Sequence, residues 1–257
     1  MKNNKEYFES KFNNYSDKFG NAWGMNWRAY MMMRAKISLS RINDIIQDKD
    51  CKKILEIGCA SGDFLNGYVN AVAEDRDKML IATDISDNAV SICREKFSEH
   101  NNVSFETMAL PDVTYNDVDL IICVDVLEYF DINEKQECLK WMREALSERG
   151  QMVLQSPLGY EDDEAFINFV NENFAVMKQE YIWGKVWFDW FEKRLCYLVD
   201  LFLKDEHEYL GWFGKLIGKA AFKILGSEFL VSFFCKINFL FFRNKKSHII
   251  WVLKRQE

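Results

Sequence analysis

Proline is nearly absent, with 2 in 257 residues beside only 12 glycines. That excludes collagen-like repeats and a proline-rich linker between two domains. Histidine is scarce too, at 3, and the 7 cysteines form no Cys-x-x-Cys pair, so no zinc-ligand spacing is present and no metal is expected. An odd number of cysteines, several inside apolar runs, reads as reduced thiols in a reducing compartment. The opening residues, Met-Lys-Asn-Asn-Lys-Glu, are polar and no apolar stretch of signal-peptide length follows; the expectation is a cytoplasmic protein. The longest apolar region, 224–242, is broken by Glu228 and Lys236, charges that are costly in hydrocarbon, and no membrane-spanning helix is expected. Net positive charge is also missing. A balance of −7 has the wrong sign for general nucleic-acid wrapping, and no nucleic acid is expected as a partner. No Ser-His-Asp constellation or Walker-type loop supports a hydrolase or an NTPase.

What the chain has is apolar mass: 49% hydrophobic residues, including 8 Trp and 21 Phe, enough to bury one sustained core. Residues 1–50 read as an N-terminal helical cap. From residue 51, short apolar runs (54–57, 79–83, 103–107, 118–124 and 151–155) alternate with helical stretches (62–74, 87–98 and 133–147). Strands alternating with helices imply βαβ units, hence an α/β fold of the Rossmann-like, doubly wound kind, mostly parallel. The core is expected over 51–183 and 247–257, with the run 248–253 returning as an antiparallel last strand. Between them, 184–246 reads as an aromatic-rich helical insertion.

The sharpest local signal is Ile54-Leu-Glu-Ile-Gly-Cys-Ala-Ser-Gly-Asp-Phe64. A strand ends in Gly58, a turn of small residues follows, and Gly62 is expected to open a helix. Glycines there permit tight turns and close approach of a ligand to the backbone, with helix N-terminal amides pointing at it. Asp84 ends the second apolar run, 22 residues after Gly62; a carboxylate there can accept from both hydroxyls of a ribose, or simply cap a helix. A third segment runs Asp119-Leu-Ile-Ile-Cys-Val-Asp-Val-Leu-Glu-Tyr-Phe130.

In this order and spacing, the segments resemble the class I S-adenosylmethionine-dependent methyltransferases of the type 11/12 kind. Ala60 stands where many members carry a middle glycine. The resemblance covers residues 50–160 and implies S-adenosylmethionine as cofactor. The backbone around Glu56, Gly58, Cys59 and Gly62 would receive its methionine part, and Asp84 its ribose. Ile85 would pack on the adenine, with Met108 and Ala109 covering the ring where relatives place an acidic residue. Asp125 would sit beside the methionine end. Asp125, Glu128 and Tyr129 are the candidates for proton handling, because the turn after the fourth strand lies at the sheet edge where ligands bind in open α/β folds. Many relatives carry His where this chain has Tyr129.

The expected activity is transfer of a methyl group to oxygen of a small molecule or of a glycan- or lipid-linked intermediate, with nitrogen as the alternative atom. Two other readings come from different classes. One is a non-catalytic S-adenosylmethionine-binding subunit. The other is a short-chain dehydrogenase, for which Tyr181 and Lys185 supply a Tyr-x-x-x-Lys pair that needs one helical face. Phe64 at the third-glycine place, the Asp125-Val-Leu-Glu segment and the helix-weakening Gly184 count against the dehydrogenase. Wall candidates for the acceptor pocket are Trp23, Trp27, Tyr30, Trp183 and Trp187, although such aromatics also serve simply to bury an insertion. His207, amid charged residues, reads as a solvated position, and His248 as a strand position. Residues 211–246 carry seven Lys and Arg against Glu228 alone, a local +6 that leaves −13 for the rest. With Lys215, Lys219 and Lys223 every fourth residue, 211–246 has the pattern of an interfacial helix for an anionic membrane surface, which would make the protein peripheral; a buried helical subdomain with a solvated lysine stripe, or a dimer interface, is the alternative.

Overall fold

The computed structural model describes residues 4–12, 29–111, 115–203, 211–241 and 245–256. The chain divides into two compact units, one comprising 1–15, 37–180 and 248–257, the other 16–36 and 181–247.

The first unit is built on the strands β1 (Lys53–Ile57), β2 (Met79–Asp84), β3 (Val103–Thr107), β4 (Val118–Val124), β5 (Leu146–Pro157), β6 (Phe174–Ile182) and β7 (His248–Arg255). They form one seven-stranded sheet in the order β3-β2-β1-β4-β5-β7-β6. Neighbours from β3 through β5 run parallel, and β7 lies antiparallel to β5. The helices are α1 (Asn4–Phe12), α2 (Ala29–Ile46), α3 (Val69–Ala73), α4 (Asp87–Lys96), α5 (Ile132–Ala145) and α6 (Asp163–Asn173). Of α2, residues 37–46 belong to this unit. The central strands are apolar on both faces: Ile54, Leu80, Leu120, Ile121 and Ile122 are fully buried, as covered parallel strands require. Helix starts follow local chemistry. Ser86 caps α4 by accepting from Ala89 N, and Asp131 with Glu134 forms a capping box on α5, each satisfying N–H groups that have no intrahelical partner.

Two differences from the sequence pattern have physical causes. The helix expected over 62–74 is a 3₁₀ turn (Leu65–Gly67) followed by the five-residue α3. A side chain at Gly67 would meet Leu39 Cδ1 at 2.5 Å, so α2 presses directly on this backbone, and the path breaks at Tyr68, whose φ is −145°. The pattern also does not mark α6 or β6. The middle of β6, with exposed Met177, Lys178 and Gln179, is too polar to read as a strand; it lies at the sheet edge, where polar side chains are tolerated.

In the second unit, α7 (Lys185–Trp187) leads through a π turn, Phe188–Glu192, into α8 (Lys193–Leu203), and then come α9 (Gly211–Leu225) and α10 (Glu228–Phe241). Trp187 is buried, packs on Phe191 and Phe234, and donates from Nε1 to Glu192 Oε2 at 2.8 Å. Tyr30 is also fully buried and donates to Ser247 Oγ at 2.6 Å. A Cβ at Gly184 would strike the Tyr30 ring at 2.3 Å. Buried Asn238 of α10 accepts from Val186 N and donates to Lys245 O. Tyr30 and Trp187 therefore serve the core of this unit. Trp183 is half-buried against Phe239. Trp23, Trp27 and His207 lie outside the described residues.

Candidate cofactor and active site

The sheet order reverses between β1 and β4: from β1 the chain moves to β2 and β3 on one side, then to β4 and β5 on the other. The crevice beyond the C-terminal ends of strands at such a reversal is where ligands bind in open α/β sheets. The loops that meet there are Gly58–Gly62 after β1, Asp84–Ser86 after β2 and Asp125–Tyr129 after β4.

Gly58 and Gly62 both have positive φ, +79° and +72°, a region that glycine enters without strain. Each is also a close approach. A Cβ at Gly58 would lie 2.4 Å from Val126 Cγ2, and one at Gly62 would lie 2.5 Å from Phe97 Cε2. The glycine loop is thus pressed between the turn after β4 and helix α4. Gly58 N and Cys59 N both donate to Thr83 O, at 2.7 and 2.8 Å, and Gly62 N donates to Cys59 O. Ala60, at φ +49°, donates to Asp84 Oδ2 at 2.9 Å. These four amides stabilise the loop itself. The expected array of ligand-facing helix amides is replaced by a preformed backbone cradle that opens onto a 3₁₀ turn. The Cys59 side chain is buried with its Sγ 3.9 Å from Cys93 Sγ, so only its backbone belongs to the cradle.

Asp84 accepts from Ala60 N and, through Oδ1, from Ser86 N at 3.0 Å. The helix cap is Ser86, which leaves Asp84 to link the two loops. Ile85 is half-buried beside it. Met108 N donates to Asp84 O at 2.8 Å, which brings half-buried Met108 and Ala109 to the same edge. Glu56 is buried in β1, and burial pushes its carboxyl up to about 7 despite the opposing Tyr68 hydroxyl, with the Asp84 charge adding to the rise. Its Oε2 has no well-formed hydrogen bond among the described residues.

Asp125 sits at φ +55°, a left-handed conformation that Asp tolerates better than most side chains. Its Oδ1 accepts from Gln155 Nε2 at 3.0 Å, and Gln155 Oε1 accepts from buried Ser38 Oγ at 2.7 Å. His248 Nε2 lies 3.9 Å from Asp125 Oδ1, and the two side chains are 6% and 20% exposed. Asp125 is therefore the outward member of a buried polar chain. Glu128 and Tyr129 occupy the 3₁₀ turn that follows. Burial, and then the charge and hydrogen bond of Glu128, push the Tyr129 phenol far up, so at neutral pH it is a hydrogen-bond donor and not a base. Phe8 of α1 packs edge-to-face on Tyr129 at 4.9 Å. Tyr181 lies in β6 and Lys185 in α7, so the Tyr-x-x-x-Lys pair shares no helical face.

Sequence reasoning missed Ser38, Gln155 and His248 as members of this site. The polar Gln155 and Ser156 closing the apolar run 152–154 were the available signal, since a buried polar group needs a partner.

Residues 54–150 match the methyltransferase domain family. No curated protein sequence matches the chain. Among solved structures, the N-methyltransferase NodS from Bradyrhizobium japonicum WM9, crystallised with S-adenosyl-L-homocysteine, aligns over 99% of this chain and 100% of its own with a TM-score of 0.62 and 14% identity. Coclaurine N-methyltransferase bound to N-methylheliamine and S-adenosyl-L-homocysteine aligns over 98% of this chain and 83% of its own, also with a TM-score of 0.62 and 14% identity. A putative sarcosine dimethylglycine methyltransferase from Galdieria sulphuraria covers 87% of this chain and 85% of its own at 0.56 and 11% identity. At these identities the likeness is one of fold. From β1 into β5, over residues 54–150, the chain carries a class I S-adenosylmethionine-dependent methyltransferase domain.

Proposed function

We propose that this protein transfers a methyl group to a hydroxyl oxygen of a small molecule, or of a glycan- or lipid-linked intermediate, with the Asp125–His248 pair taking the proton. The observation that carries this reading is the buried chain Ser38–Gln155–Asp125 with His248 behind it, at the sheet reversal.

The residues present fit S-adenosylmethionine. Gly58 and Gly62 let the loop after β1 turn tightly at positive φ against Val126 and Phe97, Asp84 at the end of β2 offers a carboxylate to ribose hydroxyls, and the buried Oε2 of Glu56 suits the ammonium end. When bound, the cofactor supplies an electrophilic methyl carbon on a sulfonium. Everything else falls to the protein. Asp125 holds the acceptor hydroxyl and receives its proton, Gln155 fixes the carboxylate orientation, and His248 shares the proton with Asp125. Holding the reacting atoms at contact distance lowers the barrier by removing orientational entropy, and a placed proton acceptor adds to that.

Transfer to nitrogen is the second reading, favoured by the two N-methyltransferases that align over nearly the whole chain. The test is isotope-labelled methyl transfer from S-adenosylmethionine to panels of phenols, sugars and amines. Labelled methyl ethers support oxygen transfer, labelled amines the second reading. Cofactor binding with no transfer across the panels would point to a non-catalytic binding subunit.

A further inference from the structure

The second unit exposes a face that nothing in the methyl-transfer reading uses. α9 carries three stripes. Gly214, Gly218, Ala221 and Leu225 are buried against the protein. Leu216, Ala220 and Ile224 form an exposed apolar stripe, and Lys215, Lys219 and Lys223 form an exposed basic stripe beside it. Both exposed stripes repeat every fourth residue, the spacing that keeps side chains on one side of a helix. After Gly226 the path bends by 61° into α10. There Val231, Cys235 and Asn238 face inward, while Phe229 is 79% exposed, Phe241 74% and Leu240 62%. Phe233 and Lys236 are exposed between them. Glu228, the one acidic residue of these two helices, is paired with Lys36 at 3.0 Å, so it does not offset the lysines of α9.

We infer that α9 and α10 form a docking face for an anionic lipid bilayer, lying in its interface without crossing it. Large side chains at such exposure are the apolar half of an interfacial helix, and a lysine stripe beside them is the half that meets anionic headgroups. The composition separates this occupant from a protein partner. Protein interfaces are depleted in Lys, whereas here a stripe of three exposed lysines runs beside the apolar one. The local charge of +6 over 211–246, in a chain that is −13 elsewhere, orients the molecule with this face toward a negative surface. Among the described residues no single helix is long and apolar enough to cross a membrane, and a bent span through both helices would carry four lysines into hydrocarbon at high cost.

The experiment is flotation of the full-length protein with vesicles of equal parts phosphatidylglycerol and phosphatidylcholine, and with pure phosphatidylcholine. Wild type should float with the anionic vesicles, weakly or not at all with the neutral ones, and the difference should shrink at raised salt. Lys215→Glu/Lys219→Glu/Lys223→Glu should weaken anionic binding on the order of a hundredfold, at about fivefold per lysine. Phe229→Ser/Phe233→Ser should weaken binding to both vesicle types. Circular dichroism and S-adenosylmethionine calorimetry check that each variant folds; should neither fold, the wild-type contrast between vesicle types and salt conditions decides. Absence of flotation, equal binding to neutral and anionic vesicles, or binding untouched by both folded variants would overturn the inference. So would lipid-independent self-association that the same substitutions abolish, which would assign the face to a second copy. None of these outcomes depends on the acceptor or on methyl transfer.

Discussion

The Glu9 carboxylate accepts the backbone N–H of Asp87 at 2.7 Å. The same carboxylate accepts from Ser86 Oγ and Asn88 N, so α1 ends on the N-terminus of α4, directly after the Asp84 loop. Phe8, one residue earlier, packs on Tyr129 after β4. One short helix thus touches the loops after β2 and after β4, the two that flank the crevice.

Glu9→Ala should release α1 without unfolding the sheet. Although burial opposes it, hydrogen bonding from Asp87, Ser86 and Asn88 holds the Glu9 carboxyl below its ordinary value. A depressed carboxyl contributes stability above its unfolded value of 4.5, and the contribution is lost as pH falls through the lower, folded-state value. The check is limited proteolysis within 4–12. Wild type should be protected at neutral pH and nicked in acid, and Glu9→Ala nicked at both, with little change in global Tm. Equal protection of both proteins would refute the latch.

Asp84→Ala should weaken S-adenosylmethionine binding by about a hundredfold, the loss of two hydrogen bonds to a charged acceptor. It should also loosen the glycine loop, because Ala60 N and Ser86 N lose their acceptor. Asp84→Asn keeps one acceptor oxygen and should fall between. Calorimetry that shows unchanged affinity in Asp84→Ala would remove Asp84 from the ribose site.

Gly58, Gly62 and Asp84 were legible in the sequence because the features that mark them are local: a strand ending, a turn that only small residues can make, and a carboxylate at the end of the next strand. The antiparallel return of β7 was legible from one apolar run, 248–253. The strand β6 was not, because exposed Met177, Lys178 and Gln179 erase the alternation that marks a strand. Ser38, Gln155 and His248 are separated by 117 residues in one case and come together only because β7 pairs with β5 and α2 lies nearby. No local pattern records that proximity. The glycine loop shows the opposite limit: its position was legible, but its amides turned inward because Thr83 O and Asp84 offered nearer acceptors than a ligand.

Glu56 should trade stability for binding. Burial holds its carboxyl up near 7, against an unfolded value of 4.5. A raised carboxyl contributes stability that is complete below the unfolded value and is lost as pH rises through the folded one, on the order of 3 kcal/mol across that window. Glu56→Gln removes the ionisation. It should raise Tm relative to wild type well above neutral pH and bring no gain in acid. Cofactor affinity should rise with pH through about 7 in wild type and be lower and flat in Glu56→Gln. Parallel pH curves for the two proteins would refute this role.

Gly58→Ala should cost about 2 kcal/mol, since positive φ and a Cβ 2.4 Å from Val126 Cγ2 combine strain with overpacking. Adding Val126→Ala should recover the overpacking part and leave the backbone strain. Denaturant melts of the single and double variants measure both. Full additivity would show that the clash is absorbed elsewhere.

Asp125 and His248 are separable by kinetics. Asp125 faces outward and His248 sits behind it, so the first should touch the acceptor and the second act through the first. His248→Gln should lower kcat by about a hundredfold, the usual scale for lost proton handling, while cofactor affinity stays within about threefold and KM for the acceptor changes little. The pH–rate profile should change shape, because an amide cannot share the proton. Gln155→Leu removes the donor to Asp125 Oδ1 and the acceptor for Ser38; it should lower kcat less and lower Tm, because Ser38 loses its buried partner. If His248→Gln reduces Tm and cofactor affinity together and leaves the pH profile unchanged, the pair holds the sheet edge and takes no proton.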